Sequence, residues 1–373
     1  MAEREQAVSG FEGLRKRGRG TASTFFNMEN MSLRNYPLLC SRKRRGYLQL
    51  SDPAPGRILG AVVRTVRLSG ALREALCLIS ASRLTYLWQE AGQLREEHFA
   101  CSLTDREKQA VIMGAWLVLW PDKVRIHMGT PGTVEPLEQR VSLGDCEITL
   151  ACHLPGVGWR YASYLSAEAP ASAAEGQLWG DISAVPIRIS RWSEEQGVWL
   201  EVSGEYRLAL TAPAGTFRGF SAGDYVSLGG FMGISAEQLR YRFTTSRRVS
   251  EKETEAIRSL EGFHRIESMD EETFTFLSFA VNIPTVYSLL PQPGQELTVT
   301  RAVPDMDFIC ECGNRLWGCR YGEDEEGSLL NELYCSKLGD CRNWYTYAGL
   351  STDSWTASCG TDGPWTGCIN LQG

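Results

Sequence analysis

The sequence predicts a mostly β fold, an incomplete β-propeller body carrying an inserted β-barrel or sandwich module. Three observations predict it. Thirty-seven glycines and eleven tryptophans in 373 residues, with few long helical patterns, favour sheet over helix. A strand–turn–strand motif recurs, in which an apolar strand and a turn lead into a Leu-led strand ending in an aromatic residue or Cys. A stretch of different character, residues 131–303, separates its second and third copies. One blade cannot bury both faces of its own sheet, so several stacked around an axis are the natural packing.

Residues 1–46 read as a basic extended arm. Residues 1–50 carry ten Lys and Arg against four Asp and Glu, whereas the whole chain has a net charge of −7. Asn35 and Pro37 favour an extended docking segment over a helix. Arg42, Lys43, Arg44 and Arg45 form either an electrostatic patch for nucleic acid or an acidic partner, or a solvated charge run. Charge runs alone favour the second. The opening MAEREQAVSG has no apolar core, so no secretory signal is expected. The longest apolar run, Ala110–Pro121, is far short of the ~20 residues a membrane span requires. A soluble chain made in a cytoplasm is expected, with most of its twelve cysteines serving as reduced, buried apolar groups.

Residues 47–130 hold the first blades. REALCLISASRLTYLW (Arg73–Trp88) and KQAVIMGAWLVLWPDKVRIH (Lys108–His127) share one layout. Matching Leu84 to Leu117 gives a spacing within reach of the ~40–50-residue period of propeller blades. Residues 131–212 form an inserted β region, with CEITLACHL, VPIRISRW and EQGVWLEVSGEYRLAL as strand patterns. Its Ser/Ala-rich loop, SAEAPASAAEG, is expected to be flexible because it has little to bury. Residues 213–303 read as a β-barrel-like module that opens with FSAGDYVSLGGF. Within it, Ser250–Phe263 is the best helix candidate, with Ser250 as cap. Residues 304–373 resume the blades in DFICECGNRLWGC, where Gly313 and Asn314 supply the positive-φ positions of a tight hairpin.

The apparent active sites read as structure. Gly219–Gly223 matches G-x-S-x-G around Ser221, but a strand pattern follows where the nucleophile elbow needs a helix. Cys310, Cys312, Cys319, Cys335 and Cys341 lack the C-x₂-C knuckles of zinc sites, because a C-x-C in a strand points both thiols to one sheet face. The four histidines are scattered, and neither a P-loop nor a dinucleotide fingerprint occurs. No catalytic residue, metal or cofactor is expected.

Four stretches carry a family resemblance: NMENMSLRNYPLLCSRKRRG, MGAWLVLWPDK, FSAGDYVSLGG, and NRLWGC…NELYCSKLGDCRNWYTYAGLSTDSW…GTDGPWTG. They resemble virion proteins of tailed phages and prophages of Firmicutes, distantly similar to podovirus tail-nozzle (tail tubular, stabilisation) proteins. The strongest part holds Asn314, Arg315, Leu316 and Trp317, followed by Leu338, Gly339, Asp340 and Trp344. The resemblance runs in order over almost the whole chain. It implies a non-enzymatic neck or tail role in the virion and a propeller body with an inserted barrel. A homo-oligomeric ring beside portal or adaptor proteins follows, with non-specific contact to packaged DNA and no membrane or small-molecule substrate. Two departures stand out. Cys335, Cys341, Cys359 and Cys368 replace small or apolar residues, and the chain stops where relatives continue into further blades. The sequence therefore reads as truncated, as a fragment, or as completed by another chain. The competing reading is a lectin-like module that stacks host-surface glycans on Trp317, Trp344, Trp355 and Trp365.

Overall fold

A computed structural model of the chain describes most of residues 50–371 and four two-residue strands before them. Within 50–371, residues 53–55, 145, 185–186, 203–205, 231–262, 271–273, 282–295, 324–328, 347–348 and 361–362 lie outside that description. The chain divides into two compact units, Met1–Pro53 and Ala54–Gly373. In the first unit, β1 (Gly13–Leu14) pairs in parallel with β2 (Thr24–Phe25), and β3 (Met31–Ser32) pairs antiparallel with β4 (Cys40–Ser41). The charge run Arg42–Arg45 lies outside the described residues.

Every regular element described in the second unit is a strand. Its first sheet is a four-stranded antiparallel meander of β5 (Gly60–Leu68), β6 (Ala71–Ile79), β7 (Arg83–Glu90) and β8 (Gln93–Ala100). Ser69 and Gly70 join β5 to β6 at φ 48° and 81°, and Ala91 and Gly92 join β7 to β8 at 50° and 79°. Two positive φ values in a two-residue link match the right-handed twist of the strands they connect. The second sheet repeats the plan with β9 (Gln109–Met113), β10 (Trp116–Trp120), β11 (Val124–His127) and β12 (Val134–Pro136).

These two sheets correct the repeat alignment. Leu84 lies on the third strand of its sheet and Leu117 on the second of its own, so they are not equivalent positions. The sheets start at Gly60 and Gln109. The shorter spacing arises because β5 and β8 do not look like core strands. The first buries Arg64 among its apolar positions, and the second (QLREEHFA) is a polar edge.

Residues 139–301 build an eight-stranded sheet and a smaller one beside it. The large sheet contains β13 (Gln139–Leu143), β14 (Glu147–Leu154) and β15 (Gly158–Tyr161). After the small sheet of β16 (Tyr164–Ser166), β17 (Leu178–Asp181), β18 (Arg188–Ser193) and β19 (Val198–Glu201), the large one resumes. Its later strands are β20 (Tyr206–Pro213), β21 (Tyr225–Gly229), β22 (Phe263–Asp270), β23 (Phe274–Val281) and β24 (Leu297–Arg301). The order is β13-β24-β21-β22-β23-β20-β14-β15, and no ladder joins its ends among the described residues. The chain nevertheless passes from Leu143 to Glu147, a step that spans at most about 14 Å. Six strand spacings laid flat would separate β13 from β14 by about 29 Å. The sheet must therefore curl back, and one core holds Leu143, Leu150, Leu210, Val226, Leu228 and Val299 from both halves. The proposed helix at 250–262 lies outside the described residues, and Phe263 opens β22.

The Ser/Ala-rich loop is anchored. The indole N–H groups of Trp179 and Trp199 donate to the carbonyls of Ser166 and Pro170 at 3.1 and 3.0 Å. Loop backbone thus finds partners on the aromatic face of the small sheet, where Trp199 also packs edge-on against Trp192 and Tyr164.

The third four-stranded meander is β25 (Phe308–Glu311), β26 (Leu316–Glu323), β27 (Leu329–Cys335) and β28 (Trp355–Ser358). The second sheet lies between the other two. Leu117, Leu119 and Ile126 pack on Val66, Leu68, Ile79 and Tyr86 of the first sheet. Val118 and Trp120 pack on Ile309, Leu316 and Tyr334 of the third. Covered on both faces, β10 loses the usual alternation, and Leu117 through Trp120 are all buried. First strands meet as well. The Lys108 N–H donates to the Leu59 carbonyl at 2.8 Å, and the Gln109 amide bridges the Ile309 N–H and the Asp307 carbonyl at 2.9 and 2.7 Å.

Burial pushes the thiols of Cys77 and Cys319 up to about 12. An unfolded thiol titrates near 8.5, so between about pH 8.5 and 12 only the unfolded state releases these protons, and stability falls as pH rises. Denaturant midpoints should hold steady below about pH 8 and drop from about pH 9 upward. Cys77→Ala should show a shallower drop, and a wild-type midpoint unchanged at high pH would contradict the assignment.

Candidate functional site

The two halves of the strongest motif, Asn314–Trp317 and Leu338–Trp344, come together at one junction that runs from an exposed corner into the core. It begins at the corner after β25. Gly313 and Asn314 take φ of 63° and 58°, and Cys312 and Arg315 exchange both backbone hydrogen bonds around them. The hairpin expected from these two residues is therefore formed. The Glu311 carboxylate steadies it by accepting the Asn314 N–H at 2.8 Å.

Arg315 then gathers separate segments. Its guanidinium donates to the carbonyls of Ser336, Asp353 and Ser351 at 2.8, 2.7 and 2.7 Å. Several fixed N–H donors on one planar group suit it to hold diverging carbonyls. The Leu316 side chain is fully buried in the core between the second and third sheets, and its N–H donates to the Ser336 hydroxyl at 3.0 Å. Trp317 donates from its indole to the Cys312 carbonyl at 3.0 Å and meets Trp355 edge-on, ring centres 5.0 Å apart.

The second half of the motif docks on this corner. Gly339, at φ 75°, donates its N–H to the Asn314 carbonyl at 2.8 Å. A side chain there would be strained by the φ value and would lie close to the Asn314 amide. Leu338 contributes through its backbone only, because its side chain is 42% exposed. Asp340 accepts the Arg342 N–H at 2.9 Å and the Asn343 side-chain amide at 2.6 Å, closing the loop on itself. Burial alone would raise the Asp340 carboxyl, but the Arg342 N–H and guanidinium and the Asn343 amide hold it below the usual carboxylate range. Trp344 is buried in the core and donates to the Cys341 carbonyl at 2.8 Å.

Asn343 carries the connection onward. Its side-chain oxygen accepts the Tyr225 N–H at 2.8 Å, and its amide donates to Asp224 at 3.3 Å. Asp224 is fully buried and takes three further donors: Arg301 at 2.5 Å, the Ser221 N–H at 2.9 Å and the Arg342 guanidinium at 3.3 Å. Arg301, 1% exposed, also donates to the carbonyls of Leu137 and Gly219 at 3.0 and 2.8 Å. Burial pulls its guanidinium below the ordinary value, and the Asp224 charge opposes that shift. An unbroken set of bonds thus runs from the Asn314 corner through Asp340, Asn343 and Asp224 to Arg301, tying the third sheet to the curled sheet.

Three of these partners were not singled out as site residues in the sequence reading, although Asp224 and Asn343 fall within stretches that carry the resemblance. Arg301 had a signal, since in LTVTR it falls on the inward positions with Leu297 and Val299, where a charge requires a buried counter-charge. Asp224 and Asn343 lie in turns, where their residue types are ordinary. Ser221 sits in the turn ahead of β21, and the element after it is a strand. Among the described residues, no three His, Cys, Asp or Glu side chains converge as metal ligands. Burial pushes Cys341 up to about 11, and Cys335 is raised by the same cause. Trp344 lies in the core and cannot serve as a glycan platform, which corrects that part of the lectin-like reading.

No family model matches the chain, and no curated protein or solved structure is significantly similar to it.

Asp224→Ala would leave the Arg301 cation buried without its anion and should lower stability by about 3–5 kcal/mol in denaturant unfolding. Leu338→Ala, on an exposed side chain, should stay within about 0.5 kcal/mol of wild type. Equal effects of the two substitutions would show that the junction is not where the stability resides.

Proposed function

We propose that this chain is a non-enzymatic structural protein of a tailed-phage virion, placed in the neck or tail below the portal. The three meanders act as blades of a propeller-type body, and the curled sheet acts as a barrel-like module inserted into it. The observation that carries this reading is the junction itself. The loop that contains the second half of the phage-like motif holds two β modules in fixed relation, because Asn343 and Arg342 in it bond to Tyr225 and Asp224 of the curled sheet. A protein that bears load in an assembly needs such a joint.

The blade reading is supported by three like meanders stacked in sequence, each bringing its first strand against the next. The barrel reading is supported by the short step from β13 to β14. The chain works as a homo-oligomeric ring against a portal or adaptor protein, and its basic arm, Arg42–Arg45 included, docks on that neighbour or on packaged DNA. Antibody raised against the chain and imaged on virions by negative-stain microscopy should decorate the neck or tail. Label confined to the capsid, or absent from virions, would overturn the proposal.

One observation favours the glycan-binding alternative: Trp355 is 40% exposed and stands edge-on to Trp317. Trp355→Ala separates the readings, because its side chain lies outside the core. If glycan-array signal appears and vanishes in that variant while the melting transition is kept, the lectin-like reading replaces the structural one. Trp344→Ala should instead cost about 3–5 kcal/mol of stability through loss of core packing.

A further inference from the structure

The face of the third sheet turned away from the second sheet carries sulfur. Register sets Cys310 opposite Trp317 and Cys319 opposite Phe308, so the two cysteines are diagonal neighbours. Diagonal pairs stand about 7–8 Å apart, beyond the usual Cα reach of a disulfide. Cys312 lies two positions from Cys310 at the strand end, where the side chains run parallel and do not converge. Sheet geometry therefore leaves Cys310 without a partner inside the sheet.

The last segment supplies one. After β28 the chain forms no further strand among the described residues through Leu371. It returns along the sheet, where the Trp365 indole donates to the Arg320 carbonyl at 3.3 Å. Three residues later, the Cys368 sulfur lies 3.0 Å from the Cys310 sulfur. That separation is about 1 Å longer than an S–S bond. Both thiols are half-buried, while Ile369 and Leu371 are 77% and 85% exposed. The chain around Cys368 can therefore close the last ångström without disturbing a core.

We propose that Cys310 and Cys368 are a redox pair that fastens the segment 359–371 to β25 when a small-molecule disulfide, such as oxidised glutathione, is present. One cysteine, as its thiolate, attacks a sulfur of the oxidant and releases one reduced thiol. The second then attacks the mixed disulfide at the protein sulfur and releases the other. The protein loses two electrons and two protons, the oxidant becomes two thiols, and an S–S bond replaces two S–H bonds. Reduced, the segment is held by hydrogen bonds and packing; oxidised, it is covalently closed. The pair needs no assumption about a virion role.

The test uses the purified full chain. It is incubated with oxidised glutathione, the remaining thiols are alkylated, and the protein is digested without reductant for peptide mass mapping. The expected product joins the Cys310 peptide to the Cys368 peptide and is lost on adding dithiothreitol. Cys312→Ser should retain the link and Cys368→Ser should lose it. Proteolysis within 359–371 should be several-fold slower in the oxidised wild type. Linkage of Cys310 to Cys312 or Cys319 would overturn the proposal. So would persistent glutathione adducts on Cys368, or both thiols remaining unlinked after the exposed Cys312 has reacted.

Discussion

The buried pair of Asp224 and Arg301 is the constraint on which the rest of the structure depends. Removing two opposite charges from water costs several kcal/mol per ion, and only near-complete hydrogen bonding offsets it. That requirement recruits distant parts of the chain. Asp224 draws on the Ser221 turn, Asn343 and Arg342, while Arg301 draws on the carbonyls of Leu137 and Gly219. The partners come from the end of the second sheet, from the curled sheet and from the loop after β27. A fully bonded set admits one arrangement of those three parts, so the pair acts on relative placement more than on net stability.

Apolar packing fixes what the charges do not. The second sheet lies between two others, and this double coverage makes WLVLW nearly continuous in burial. Gly318 shows how close the fit is on one side, since a Cβ there would run into the Met306 side chain. The Trp120 indole donates to the carbonyl of the same Met306 at 2.6 Å, so the segment leading into β25 is tied to the second sheet before the third begins.

The sequence was most legible where local chemistry decides the outcome. The Gly313–Asn314 corner, the strands around Leu84, Leu117 and Leu316, and the turn-then-strand at Ser221 all follow from neighbouring residues. It was least legible where a partner lies far along the chain. Strand β8 is polar because it is an edge, β5 accommodates Arg64 because its guanidinium finds the carbonyls of Ile126 and Ala115, and neither fact is local. The motif residues Asn314, Arg315, Leu316, Trp317, Leu338, Gly339, Asp340 and Trp344 were identified as a group, but Asp224 and Arg301 were not among them. Their significance arises only when the curled sheet brings them against Asn343. The Ser/Ala-rich loop shows the same limit, since its anchors are indoles on β17 and β19.

The long interval between the second and third sheets has a consequence in time. Gln109 meets Asp307 and Ile309 across 198 and 200 positions of the chain. As the polypeptide leaves the ribosome, one face of β9 and β10 has no cover until β25 emerges. Strand β13, likewise, waits for β24. Contacts of such high sequence separation slow folding and prolong the exposure of apolar strands. The curled sheet must therefore be synthesised before the third sheet can cover the exposed face of the second.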